Sequence, residues 1–411
     1  MQVAVFHPGT QHSWQTASAL DSLGCLAWYA TSIFYKPDQF PYVFERMVPP
    51  PLARRMQAEF RRFSHPGLDP AKVRTVGLAE WAERIAARAG FRALARSLDA
   101  YGNRKFVSHL ARDIAAPDPF ALWGYSGSSA KTFELARQHG RTCILDRTIG
   151  DFRAYNRAMD LVRETHGEWF LPSSGPIPAS QIARDQAEYE LADVILAGSR
   201  FAADTVIAEG GAALAGKVRV LPYCYDEALF GAQPAPKPFG RDEPVRFLFV
   251  GQIHPRKGIH HLLEAFARLP KGQASLTIVG DLGVPRAVFA RYADRVDFRP
   301  TVARADIPPI MAAHHVLVFP SYFEGSALSL LEALASGMAI IQTPSSGNGV
   351  TTETGIMLDR PDTEALHQAM LTAIEDRDRL DGWRAAAQHE AQSYSFANYR
   401  ANIAALLKVL G

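Results

Sequence analysis

Two carboxylates define the chemistry open to this chain. Glu324 and Glu332 lie in Pro320–Gly337 (PSYFEGSALSLLEALASG), between two short apolar runs, His315–Phe319 and Met338–Gln342, that read as buried strands. The segment between them reads as strand end, loop and helix, with Ser326 placed to cap the helix and Gly337 to stop it. Ala327, Leu328, Leu330, Leu331, Ala333, Leu334 and Ala335 make that helix apolar on nearly every side, which predicts burial. A carboxylate in its middle, Glu332, then needs a partner, and no cation stands one turn away in the sequence. Glu324 sits in the preceding loop beside Gly325 and Ser326, whose amides would face a bound group. The helix N-terminus favours phosphate or carboxylate. Two acids flanking such a turn suit a polyol phosphate.

A pair of cations stands earlier in the same half of the chain. In Val250–Gly258 (VGQIHPRKG) a strand ends at a glycine, a short loop presents Arg256 and Lys257, and Gly258 opens a helix. A departing diphosphate requires neutralisation of that kind. Taken alone, Arg-Lys-Gly is an ordinary surface turn; the acid pair that follows gives it weight.

These groups must be positioned by a scaffold, and the pattern of the chain describes one. Val3–Phe6, the turn His7-Pro8-Gly9-Thr10 and Ser13–Leu23 read as strand, glycine turn and helix, the opening of a doubly wound sheet. The strand pattern lapses from Tyr35 to Asp113, where aromatic and methionine residues alternate with arginines and Leu78–Leu98 has helical spacing. This stretch reads as a helical insertion whose arginines either solvate outer helix faces or meet an anionic membrane or a lipid-linked substrate. Alternation resumes with strands at Phe120–Trp123, Thr142–Leu145, Val194–Ala197 and Val218–Leu221, and a loop carrying Asp146, Arg147 and Asp151 follows the second of them. The proline-rich stretch Pro222–Pro244 is the linker candidate, after which Arg246–Val250, Ser275–Val279 and the strands flanking Glu324 and Glu332 repeat the scheme. The expected organisation is a first domain at 1–222 with the insertion at about 35–113, a linker at 223–244, a second domain at 245–392, and a terminal helix at 393–411 that can cross back. Ligands of open parallel sheets sit at strand carboxyl ends, so two such domains facing across a cleft would hold one substrate each.

The 411 residues suffice for two cores, and a formal charge of +2 gives nucleic acid no obvious footing. Three scattered cysteines, Cys25, Cys143 and Cys224, fit neither a disulfide framework nor a zinc site and suit a reducing cytosol. No secretory signal or membrane-spanning run is read, so the expected location is cytoplasmic, with peripheral contact at the inner membrane face as an option. Asp376-Arg377-Asp378 imitates a metal-binding triplet but sits at a helix boundary, where a solvated face is expected.

Gln252–Leu263 and Phe319–Gly337 together resemble the nucleotide-sugar domain of retaining GT-B glycosyltransferases, glycosyltransferase family 4. Glu324 and Glu332 match that family's Glu-x7-Glu motif, and Thr354–Leu358 resembles its later strand. The similarity runs from about Arg246 to Leu358 and is faint before the linker. The resemblance implies an α/β, GT-B architecture and transfer of a sugar from a nucleotide diphosphate to an acceptor hydroxyl, with retention and without metal or other cofactor. It implies that Glu332 holds the ribose, that Glu324 contacts the donor sugar with the amides of Gly325, Ser326 and Ala327, and that Lys257, assisted by Arg256, binds the diphosphate. Gly9 and Thr10 would approach the donor phosphate, and Gly280 and Phe298–Thr301, including Arg299, would line the base.

Two departures follow. Gln252 stands where the family often has arginine, with His254 as a compensating cation only if protonated; an exposed loop histidine is expected instead. Asp146-Arg147-Thr148 stands where many members have a sugar-side histidine, leaving Arg147 or Asp151 as candidates and His12 or His7 as alternatives. The rival readings are a catalytically inactive nucleotide-sugar sensor or partner subunit, and a GT-B epimerase or phosphorylase. Sugar, base, acceptor and oligomeric state are not specified by these motifs.

Overall fold

The computed structural model describes residues 1–9, 12–40, 42–60, 63–65, 67–75, 106–238, 240 and 243–411. Short runs of β-branched and aromatic residues form two sheets. The first contains β1 (Val3–His7), β2 (Leu26–Thr31), β3 (Val73–Thr75), β4 (Ala121–Tyr125), β5 (Cys143–Arg147), β6 (Val194–Ala197) and β7 (Val218–Val220), in the order β3-β2-β1-β4-β5-β6-β7. The second contains β8 (Val245–Val250), β9 (Ala274–Val279), β10 (Asp297–Arg299), β11 (Val316–Phe319), β12 (Ala339–Gln342) and β13 (Gly355–Met357), in the order β10-β9-β8-β11-β12-β13. Every pairing in the second sheet is parallel, as are those from β3 to β5 in the first. Both are Rossmann-like sheets, and the protein is α/β as the alternation predicts.

In the second sheet the strand order reverses between β8 and β11. Parallel sheets bind ligands at that point, outside the strand carboxyl ends. The loop after β8 carries Arg256 and Lys257, and the loop after β11 carries Glu324, so topology alone brings the cations to the acid. The strands that hold these loops are dry: Phe247, Leu248, Phe249, Leu317, Val318 and Phe319 are fully buried. Stacking of Phe249 on Phe319, with ring centroids 5.7 Å apart, ties these neighbouring strands together on one side of the sheet.

The chain forms two compact units, Met1–Asp146 with Ala183–Ile195 and Asn402–Gly411, and Arg147–Ile182 with Leu196–Ala401. Within the second, residues 223–244 contain a short helix, Glu227–Phe230, whose Phe230 is buried in the core around β8 and β11. Two readings of the sequence are corrected. Asp146 and Arg147 belong to β5 and are buried, not loop residues, because the parallel ladder continues to Tyr125↔Asp146. The region from Tyr35 to Asp113 is not strandless: β3 pairs with β2, but its three residues, two of them exposed and polar, are too few to show periodicity. Leu78–Leu98 lies outside the described residues. In the described part of this region Tyr42 and Phe60 are buried, whereas Phe40, Phe44 and Met47 are exposed. Among the described residues no helix is long and apolar enough to cross a membrane.

Candidate active site

The cation loop is built by two glycines and a proline. Gly251 ends β8, and Pro255 starts a single 3-10 turn, Pro255–Lys257. Gly258 then adopts φ +66° and opens the helix Ile259–Ala267; a Cβ there would also lie 2.0 Å from the Pro320 carbonyl oxygen, so only glycine fits. His254 accepts the Arg256 N–H at Nδ1, 3.1 Å away, and burial drives its pKa down to about 4. It is half-buried and neutral rather than exposed, and supplies no cation in place of the arginine that Gln252 lacks.

Opposite this turn, the Tyr322 amide donates to the Arg256 carbonyl at 2.8 Å and Arg256 Nη1 donates to the Phe323 carbonyl at 2.7 Å. These bonds set Glu324 against both cations: Oε1 lies 2.6 Å from Arg256 Nη1 and 2.8 Å from Lys257 Nζ. Lys257 also sits over the Phe319 ring, 4.4 Å from its centroid. Burial pushes the Glu324 carboxyl up, but Lys257 and Arg256 together more than offset this and hold it below the usual range. Burial pulls Lys257 down against the attraction of Glu324. The three charges sum to +1, leaving the cluster able to receive an anion.

The segment after Glu324 is pressed against backbone. A Cβ on Gly325 would lie 1.9 Å from the Thr148 carbonyl oxygen, and Ser199 Oγ donates to the Gly325 carbonyl. Ala327, not Ser326, is the N-cap residue of the helix Leu328–Ala335, and no side chain caps it. The Ser326 hydroxyl is instead buried with no hydrogen-bond partner. An orphaned buried hydroxyl costs about 1–3 kcal/mol and marks a place where a ligand group can be received. The Ala327 amide, expected to face the ligand, donates to the Ser346 carbonyl at 3.1 Å and is therefore engaged. Gly337 ends the helix at φ +71° as expected, its amide bonded to the Leu334 carbonyl.

Glu332 is 2% exposed in the middle of this helix. Its partner is Arg304, from the 3-10 turn Arg304–Asp306, whose guanidinium also lies over the Phe230 ring. Sequence reading missed Arg304, because the pairing crosses the fold rather than one helical turn. Burial raises the Glu332 carboxyl above its ordinary value despite this contact.

Gly280 ends β9 with its amide bonded to the Arg299 carbonyl at 3.0 Å, and a Cβ on it would strike the Gly251 carbonyl oxygen. The Arg299 side chain pairs with Asp297 on the exposed edge strand β10. Arg147 is buried, donates to the Gly150 carbonyl at 2.8 Å and stacks on Phe152. Asp151 caps the helix Phe152–His166 and takes the Arg153 guanidinium with both carboxylate oxygens. Gly9 and His12 belong to the first unit, where the Gly9 carbonyl accepts from Thr31 and His12 precedes the helix Ser13–Ser22. Thr10 lies outside the described residues. Asp376 caps the helix Arg377–Ala391 through the Arg379 amide, the helix-boundary role expected of it.

With this geometry in view, residues 244–376 match the family of group 1 glycosyl transferases. The chain is similar to O-antigen chain mannosyltransferase B of Escherichia coli, 29% identical over 36% of this chain and 42% of the relative. It is also similar to D-inositol 3-phosphate glycosyltransferase of Rhodococcus jostii, 30% identical over 36% of each. The alignments thus span less than half of these relatives. Over the whole chain, the fold is shared with Anabaena HepE, solved with UDP-glucose, at a TM-score of 0.61 and 14% identity, with all of both chains covered. Sucrose-phosphate synthase from Thermosynechococcus elongatus gives 0.63 at 17% identity, covering 100% of this chain and 99% of the other. The fold is therefore that of GT-B proteins, with a glycosyltransferase group 1 match in its second sheet.

Proposed function

We propose that this protein is a retaining glycosyltransferase of family 4, transferring a sugar from a nucleotide diphosphate to an acceptor hydroxyl in the biosynthesis of a glycan or glycolipid. The observation that carries this reading is the buried cluster of Glu324, Arg256 and Lys257 at the switch point of the second sheet. A diphosphate supplies the negative charge that the cluster's net positive charge can receive, and the leaving phosphate is neutralised by the same two cations. Glu324 then addresses the donor sugar, Ser326 Oγ hydrogen-bonds to the donor, and Glu332 with Arg304 holds the ribose. In the transfer, the bond from the anomeric carbon to the phosphate oxygen breaks and the acceptor oxygen bonds on the same face, its proton passing to the departing phosphate. Neither a metal nor another cofactor is assigned a step.

Nucleotide release from a panel of nucleotide sugars tests this, comparing wild type with Lys257→Ala and Glu324→Ala. Each substitution is expected to lower kcat by about 100- to 1,000-fold, the scale of losing one preorganised charge-stabilising group. Unchanged turnover in both would overturn the assignment. Nucleotide binding by the wild type without turnover of any donor, even with cell extract as acceptor, would instead favour a sensor or partner subunit, the reading suggested by Gln252 and the missing sugar-side histidine.

A further inference from the structure

Beside the candidate active site, but outside its chemistry, three imidazoles converge. His166 ends the helix Phe152–His166, while His260 and His261 lie in the first turn of the helix Ile259–Ala267. Each offers one ligand nitrogen, and these atoms lie within 4.8 Å of one another. The ring centroids of His166 and His260 are 4.2 Å apart, and those of His260 and His261 are 4.3 Å apart.

Packing leaves one of their nitrogens unaccounted for. His260 is fully buried, and its Nδ1 has no hydrogen-bond partner. His261 Nδ1 lies 2.7 Å from Thr363 Oγ1, which in turn donates to Glu264 Oε2 at 2.9 Å. A hydroxyl whose proton points at a carboxylate must accept from the ring, so His261 carries its proton on Nδ1 and Nε2 keeps its lone pair. That lone pair is 2.6 Å from the Tyr322 hydroxyl, which is also 3.4 Å from His260 Nε2. A chain of carboxylate, hydroxyl and imidazole is the support that metal-ligating histidines commonly have. Asp362 and Glu264 act on the same cluster as nearby negative charges.

We propose that His166, His260 and His261 form a site for a divalent transition metal of the zinc class, with a water in the fourth position; the ion replaces the hydrogen bond that the Tyr322 O–H donates to His261 Nε2. An all-imidazole set selects zinc-like ions over magnesium or calcium, which prefer oxygen ligands. Zinc–nitrogen bonds of about 2.0–2.1 Å place tetrahedral ligands roughly 3.4 Å apart, so the rings draw in by at most about 1.4 Å on the ion. The ion joins the end of one helix to the start of another, beside the loop of Tyr322, two residues before Glu324. Its role is structural, and its binding is independent of the transferase reading.

The test uses the full chain without a polyhistidine tag, stripped with a chelator and titrated with zinc by calorimetry and with cobalt(II) as an optical probe. The expected result is one ion per chain, the visible absorption of tetrahedral cobalt, and a higher Tm with zinc. Thr363→Val, which removes the support of His261, should weaken binding by about 10- to 100-fold, and His166→Ala, at the least buried ring, should weaken it further. Failure of the wild type to bind one equivalent of zinc, or equal affinity in the wild type and His166→Ala, would overturn the proposal. Thr363→Val lies outside the ligand set, so its weaker binding in a protein of unchanged circular dichroism separates ligation from a folding defect.

Discussion

The two carboxylates of the Glu-x7-Glu segment lie on the same loop and helix and are both buried, yet their surroundings drive them in opposite directions. Glu324 meets two cations that are themselves nearly dry, and its pKa falls. Glu332 meets one, Arg304, whose side chain is 49% exposed, and its pKa rises. Both carry the same desolvation penalty in kind; the number and dryness of the partners decide the sign. A carboxylate held by two buried cations suits a fixed electrostatic task, whereas one whose single partner is half exposed has an oxygen left to accept from hydroxyl groups, as the proposed ribose role requires.

The largest effect expected from this contrast is on stability. Glu324→Gln leaves Arg256 and Lys257 buried without their counter-charge and should cost about 3–5 kcal/mol. Glu332→Gln releases only Arg304 to water and should cost about 1 kcal/mol or less. Urea unfolding of the two variants measures the difference, and equal losses would break the comparison. Gly325→Ala comes next, because its methyl would meet the Thr148 carbonyl oxygen 1.9 Å away. Overpacking of that kind should cost about 1–3 kcal/mol, and its thermal unfolding should show a lower Tm, whereas Gly216→Ala, where nothing lies within 4 Å of a Cβ, should not.

A smaller and more gradual effect comes from pH. Burial lowers His254 and His261 to about 4 and His315 to about 3, from 6.5. Between these values the unfolded chain binds more protons, so stability present at neutral pH is lost as pH falls from about 6.5 towards 4, at roughly 1.4 kcal/mol per pH unit for each histidine. The depressed Glu324 pKa adds a second loss below its ordinary 4.5, completed as pH passes the folded value. Unfolding midpoints measured across pH should show both limbs in the wild type, and only the upper limb in Glu324→Gln.

Much of this site was legible in the chain because its signals are local. The strand at Val316–Phe319, the apolar helix around Glu332 and its stop at Gly337 follow from short-range patterning, as does the turn that Pro255 and Gly258 build around Arg256 and Lys257. The end of β5 was not legible, since Asp146 and Arg147 look like loop residues until the sheet pairs them. Nor could Ser326 be read correctly: a serine before an apolar run resembles a cap, but the backbone turns one residue later and leaves the hydroxyl bare.

The sequence by itself determined the α/β alternation, the two sheets, and the residues that offer charge at strand ends, because strand and helix periodicities and glycine punctuation act over a few positions. Only the tertiary structure decided who meets whom. The joining of Glu324 to Lys257 and Arg256, the arrival of Arg304 at Glu332, and the convergence of His166 with His260 and His261 all link segments far apart in the chain. Their charges and proton affinities depend on burial and on partners brought together by sheet order, and neither is encoded in local spacing.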